Sequence, residues 1–275
     1  MARFLSRLAL AGVLGLLLVG GSQAATFTLT HNGWTYTEDI GSQGLGGFVD
    51  PNGVDHMNQN WWWFRTSAMQ NEKPLSTLVT GAGIELIGTN GARLRFVESG
   101  LFFELQYTLT GISPTLAKVD IDWSVKSVGP NLGVSFFAYT DFDLNNTVNE
   151  GTGVLVNPQT VRYVDGTTAA DVIASQTDLV GYEVAGWPGL RDLLNDGAVY
   201  NVSNSGLPFG PGDMTSVFQW SGSVSQGAPL SGTLTKVIDL AYNPPPPGPV
   251  IPEPGTWALM LSGLMPVALR LRKKA

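Results

Sequence analysis

Two stretches of the chain alternate strictly between apolar and polar side chains. Leu101, Phe103, Leu105, Tyr107 and Leu109 fall on one face of an extended segment, with Phe102, Glu104, Gln106, Thr108 and Thr110 on the other. Val119, Ile121, Trp123 and Val125 alternate in the same way with Asp120, Asp122, Ser124 and Lys126. A period of two puts successive side chains on opposite faces of a strand, so each stretch reads as a half-buried antiparallel strand with one wet face. Similar but shorter runs predict strands at 26–30, 84–87, 93–97, 134–140, 154–156, 161–164, 216–220 and 234–240. Asn90-Gly91 and Asp165-Gly166 are dipeptides that tolerate positive φ and predict tight hairpin turns. One short helix is expected, with Pro188 in its first turn, Leu190, Leu193 and Leu194 at helical spacing, and Gly197 as its left-handed stop. About ten strands, with turn signals roughly every ten residues, predict an all-β fold. The expectation is a single antiparallel β-sandwich or jelly-roll-like domain over residues 25–243, carrying that one helix.

The two ends follow different patterns. Arg3 and Arg7 precede an apolar run from Leu8 to Val19, and Ser22-Gln23-Ala24 follows with small residues. That is the layout of a secretory signal peptide over residues 1–24, with cleavage after Ala24. The run is shorter than the ~20 apolar residues that cross a bilayer, which favours a signal over an anchor. At the other end, residues 243–255 hold seven prolines, so 244–251 predict a stiff, extended spacer without ladder donors. Trp257 to Leu269 are uncharged and mostly apolar, and Arg270, Arg272, Lys273 and Lys274 follow. A C-terminal transmembrane helix with a cytoplasmic basic tail is expected from this order.

Pro252-Glu253-Pro254, the apolar segment and the basic cluster, in that order, resemble the PEP-CTERM sorting signal over residues 252–275. Pro266 inside the apolar segment departs from an uninterrupted helix. The resemblance implies an exported exosortase substrate, with exosortase and the secretion machinery as partners. It also implies transient anchoring in the inner membrane, then release to the cell surface or extracellular matrix.

Composition narrows the body between these ends. The chain has 275 residues, no cysteine, two histidines and a net charge of −7. Setting the ends aside leaves 9 basic and 21 acidic residues, a body near −12. So acidic a surface argues against a nucleic-acid partner, which needs a basic face. Lack of cysteine excludes disulfides, thiolate metal sites and cysteine nucleophiles. The Gly-x-Ser-x-Gly, Walker and His-Glu-x-x-His patterns are all missing. Two carboxylates suffice for glycoside hydrolysis, but nothing in the sequence selects a pair.

Three places remain as candidates. After the strand at 134–140, alternation puts Asp141, Asp143 and Asn145 on one side, where three oxygens would converge on calcium. The segment resembles the opening of an Asp-x-Asp-x-Asn calcium loop, yet has Asn146 in place of the turn glycine and Thr152 in place of the closing acid. A solvated acidic turn is the alternative. Trp61-Trp62-Trp63-Phe64 reads either as a sugar-stacking platform presenting Trp61 and Trp63, or as a strand buried on both faces. His31 continues the Phe27, Leu29 alternation toward the core, whereas His56 reads as a solvated turn residue. The functional expectation is a structural or adhesive protein of the cell surface or exopolysaccharide matrix, without catalysis and with calcium as its one candidate cofactor. The alternatives are a carbohydrate-binding module, calcium-dependent or not, and a two-carboxylate glycoside hydrolase; extracellular polysaccharide is the expected partner of the body.

Overall fold

The computed structural model describes residues 26–243 except 42, 82, 99, 149 and 150. The chain opens with β1 (Thr26–His31), β2 (Trp34–Asp39), β3 (Gly46–Val49), β4 (Gln59–Thr66) and the two-residue β5 (Lys73–Pro74). A 3-10 segment (Leu75–Gly81) leads to β6 (Gly83–Ile87), β7 (Gly91–Glu98), β8 (Leu101–Ser113), β9 (Leu116–Ser127) and β10 (Leu132–Asp141). A second 3-10 turn (Leu144–Asn146) precedes β11 (Thr152–Asn157), β12 (Thr160–Asp165), β13 (Thr168–Ala174) and β14 (Leu179–Gly186). The helix α1 (Gly189–Asn195), β15 (Met214–Val224) and β16 (Leu230–Asp239) complete the unit, which ends at Ala241.

All the ladders between these strands are antiparallel. One sheet has eight strands in the order β11-β12-β13-β16-β9-β8-β7-β6, and a second has five in the order β14-β15-β10-β4-β5. Their facing side chains form the main core. Phe64 of β4 meets Phe103 of β8 at 4.8 Å, and Trp123 of β9 meets Phe136 of β10 at 4.9 Å and Trp220 of β15 at 5.0 Å. This is the expected β-sandwich. Each large side chain so buried contributes roughly 1.5–3 kcal/mol to holding the sheets together. A small sheet, β1-β2-β3, packs on β8 through Phe27 against Tyr107 at 5.0 Å, and Trp34 Nε1 donates to the Ser113 carbonyl at 2.8 Å.

The eight-stranded sheet keeps one wet face, and β8 and β9 alternate buried and half-exposed positions as their sequences predict. The five-stranded sheet is covered on both faces. α1 and the segment around Tyr200 and Val202 lie over its outer side, against Trp61, Trp63, Phe137, Tyr139 and Val217. A strand covered on both sides reads as a continuous apolar run, which is what β4 and β10 show.

The helix starts after Pro188, buries Leu190 and Leu194, and is followed by Gly197 at φ +83°, while Leu193 faces out. One of the two expected hairpin turns differs from expectation and the other is met. Gly88, at φ +66°, carries the β6–β7 connection, while Gly91 pairs with Ile87 inside the ladder. Asn90 instead braces β8, its Nδ2 donating to the Leu109 carbonyl at 3.1 Å. The β12–β13 turn has Gly166 at φ +60°, closed by the Asp165–Thr168 pair. The predicted C-terminal transmembrane helix, together with residues 1–24 and 244–275, lies outside the described residues. Among the described residues no helix is long and apolar enough to cross a membrane.

Candidate functional site

β10 ends where its register with β15 reaches Asp141 opposite Thr215. Continuing that register two residues past the ladder sets Asp143 across from Asp213, which immediately precedes β15. Carboxylate oxygens of Asp141, Asp143 and Asp213 all lie within 4.8 Å of one another. Like charges directly opposite across strands are destabilising, so the fold spends packing energy to hold them there. Phe142 and Leu144 are buried on either side of Asp143, and the Phe142 ring meets Tyr163 edge-on at 5.1 Å. The Tyr163 hydroxyl bonds Ser216 Oγ at 2.7 Å and donates to the Thr140 carbonyl at 3.2 Å, pinning β10 to β15 just before the acids.

Asp141 is fully buried. Its Oδ2 accepts from Asn58 Nδ2 at 3.0 Å, and its Oδ1 has no hydrogen-bond partner; neither does the buried Oδ1 of Asp213. Burial, then the neighbouring Asp143 charge, pushes the Asp141 carboxyl up to about 7 against the pull of Asn58. Burial, then Asp213 and Asp55, pushes Asp143 up to about 6, and burial raises Asp213 as well. A cavity of about 10 Å³ beside the triad is lined by Asp143, Asp213, Tyr163, Thr147 and Gly151, among others. That is about the space one water molecule needs.

Asn145 is not part of this group, contrary to the expected Asp141, Asp143, Asn145 set. Its backbone is left-handed (φ +60°), a conformation asparagine tolerates, and its side-chain amide is taken up by other partners. Asn145 Nδ2 donates to Asp165 Oδ2 at 2.8 Å, and its Oδ1 accepts from Thr168 Oγ1 at 2.8 Å, tying the loop to the β12–β13 hairpin. His56, expected in solvent, is buried: its Nδ1 accepts the Asn145 amide N–H at 3.1 Å, and Nε2 lies 3.6 Å from Asp50 Oδ2. Burial lowers its pKa, with Asp50 opposing. His31 is partly buried at the end of β1, where its Nδ1 accepts the Gly111 amide at 2.9 Å.

The tryptophan run is core. Trp62 stacks on Phe136 at 5.2 Å within the sandwich. Trp61 and Trp63 point outward from the sheet, 4.1 Å apart between rings, but lie under Leu190, Leu194, Tyr200 and Val202. Trp61 Nε1 donates to Ser76 Oγ at 3.2 Å. Neither indole offers a face to a sugar, so Trp61 and Trp63 drop out as ligand-binding residues. Ala24, Pro252, Glu253, Pro254, Arg270, Arg272, Lys273 and Lys274 lie outside the described residues.

Two buried charges were not anticipated. Glu38 on β2 accepts from Tyr36 Oη at 2.8 Å, Tyr107 Oη at 2.9 Å and Asn60 Nδ2 at 2.7 Å. Lys236 on β16 is fully buried, its Nζ 3.5 Å from Met57 Sδ and 5.5 Å from the Phe142 ring centroid.

No family model matches the chain, and no curated protein does. Among solved structures, a bacterial glucoamylase complexed with acarbose superposes with a TM-score of 0.49 at 8% identity over 79% of this chain and 30% of its own. A putative kojibiose phosphorylase from human microbiome gives 0.37 at 10% identity over 92% of this chain and 32% of its own. The GH36 alpha-galactosidase AgaB from Geobacillus stearothermophilus gives 0.33 at 10% identity over 80% and 40%. The chain therefore spans less than half the length of each of these proteins. At such scores the likeness assigns no activity.

Proposed function

We propose that this chain is an exported structural or adhesive protein of the cell surface or extracellular matrix, non-catalytic, and delivered through its C-terminal segment. The observation that carries the reading is the order Pro252-Glu253-Pro254, apolar 257–269, then Arg270, Arg272, Lys273 and Lys274, paired with the signal layout of residues 1–24. The folded unit supports it by ending at Ala241, directly before the proline run, so a cut beyond the spacer would free an intact sandwich. A body without cysteine, held by aromatic packing between two sheets, suits an environment where no thiol chemistry is needed. The expected partners before processing are exosortase and the inner membrane.

The test is mass spectrometry of surface-associated and secreted material from cells expressing the full chain. The expected product begins after Ala24 and ends near Pro252. Mature surface protein that retains Lys274 would contradict processing, and protein confined to the cytoplasm with residues 1–24 intact would contradict export.

A further inference from the structure

We propose that Asp141, Asp143 and Asp213 hold a hard divalent cation, calcium in the exported setting, and that this ion ties the end of β10 to the start of β15. The inference stands apart from the export reading, because it needs only the sandwich. Three carboxylates converge within 4.8 Å of one another just beyond the Asp141–Thr215 pair that ends the β10–β15 ladder. Asp141 is 1% exposed and keeps one carboxylate oxygen without any partner; Asp213 has a buried oxygen in the same condition. Buried acceptors are nearly always satisfied, so two orphans in one place call for a ligand. No arginine or lysine forms a close ion pair with any of the three among the described residues; the ion pairs on β12–β13, β6–β8 and around Glu72 all lie elsewhere.

The donors are all oxygen, which selects calcium or magnesium over zinc or copper. Three carboxylates leave the remaining coordination positions to water, and the adjoining cavity has room for one. The aspartates come from the end of one strand and from two loop positions, with no glycine-turned ligand loop, and such a loosely built cage suits the larger, less demanding calcium ion better than magnesium. Extracellular modules bind calcium at about 10⁻⁴–10⁻³ M, and that is the range expected here.

The experiment uses the full chain stripped with chelator, then titrated separately with calcium chloride, magnesium chloride and terbium. Terbium serves as the optical probe, because Tyr163 lines the adjoining cavity and can sensitise it. In the wild type, calcium at tenfold its Kd should raise Tm by about 3–6 °C and displace terbium luminescence. Asp213→Asn should abolish both responses. Its Tm in chelator should equal or exceed that of the wild type, since one member of the repelling group is gone. Asp192→Asn, on the exposed side of α1, should respond like the wild type. An unresponsive wild type, with no luminescence and no Tm shift at 10 mM calcium, would overturn the proposal in favour of carboxyls that share protons. An equal calcium response in Asp213→Asn would overturn it by placing the ion elsewhere. Should Asp213→Asn fail to fold, Asp143→Asn replaces it under the same two criteria.

Discussion

Lys236 lies midway along β16 between Leu234 and Ile238, and all three side chains are fully buried in the core. The ammonium makes no close ion pair among the described residues; its neighbours are a thioether and a phenyl ring. Burial pushes its pKa down from 10.5 to about 7, and the attraction of Glu38 and Asp141 offsets only part of that. At 1.36 kcal/mol per unit, keeping this lysine inside the fold costs about 4 kcal/mol at pH 7. Lys236→Met retains the length and offers a polarisable, uncharged end to Met57 and Phe142. Part of the gain is lost because Glu38, also buried, is deprived of a distant positive charge. The expected net effect is a stabilisation of roughly 2–4 kcal/mol at neutral pH, within what replacing buried charges by apolar groups has given elsewhere. In a unit of this size that is a rise in Tm of about 5–15 °C. The pH dependence is the sharper test. A folded-state pKa of about 7 lies below the unfolded value, so between pH 7 and about 10.4 the unfolded chain binds the extra proton and wild-type stability attributable to Lys236 rises with pH. The gap between variant and wild type should therefore shrink across that window in urea unfolding at matched salt. A variant less stable than wild type at pH 7, or a gap that stays constant from pH 7 to 10, would refute the reasoning.

Trp63→Ala should cost about 3–5 kcal/mol, because Trp63 is completely buried beside Trp61 and Tyr139 under the helix; a loss below 1 kcal/mol by denaturant unfolding would contradict a core role. Glu72 is buried and binds Arg65, and its Oε1 also accepts the Tyr200 amide at 3.0 Å, while Arg65 donates to the Tyr200 carbonyl at 2.6 Å. Glu72→Gln leaves a buried guanidinium without its anion, so a loss of about 3–5 kcal/mol is expected, with faster hydrogen exchange at Tyr200 and Val202; unchanged exchange there would show that this pair does not hold the cover over the tryptophans.

The strands that were easiest to read lie in the sheet with two different environments. β8 and β9 face core on one side and water on the other, and that contrast writes a period of two into the sequence. β10 loses the contrast, since Phe136 and Phe137 are both buried on opposite faces, and only the run of large residues marks it as a strand. The strands without a prediction have local reasons. β3 opens with Gly46-Gly47, β13 carries Thr168-Ala169-Ala170 where larger residues are usual, and β14 has a bulge at Gly181 that breaks its register. β2 alternates correctly, but its inward set is Trp34, Tyr36 and Glu38, so a carboxylate stands where the pattern calls for an apolar residue. Whether Trp61 and Trp63 face water was not a property of their own segment at all. It depends on Leu190, Leu194, Tyr200 and Val202, which arrive from far along the chain to form the second layer.

The site follows the same division between local and distant information. Asp141 and Asp143 were legible because they sit two apart on a strand and its continuation. Asn145 failed because extrapolating a strand past its end assumes an extended backbone, and the left-handed turn at Asn145 and Asn146 breaks that assumption. Asp213 replaces it through pairing, not spacing: β10 and β15 meet in antiparallel register up to Asp141–Thr215, and that brings Asp213 to the end of β10. Pairing of distant strands leaves no local mark. A charge on the apolar face of a strand does leave one, as Lys236 between Leu234 and Ile238 and Glu38 after Trp34 and Tyr36 show. Such a residue is either a register error or a buried group held at a cost, and here both are held. Glu38 accepts from three donors, whereas the Lys236 ammonium faces the Met57 thioether, a weak acceptor. Lys236 is therefore a place where the fold gives up stability to keep a charge inside. The carboxylate triad is where a bound cation would recover some stability, because neutralising Asp141 and its neighbours removes a repulsion that Asn58 and Lys236 offset only in part.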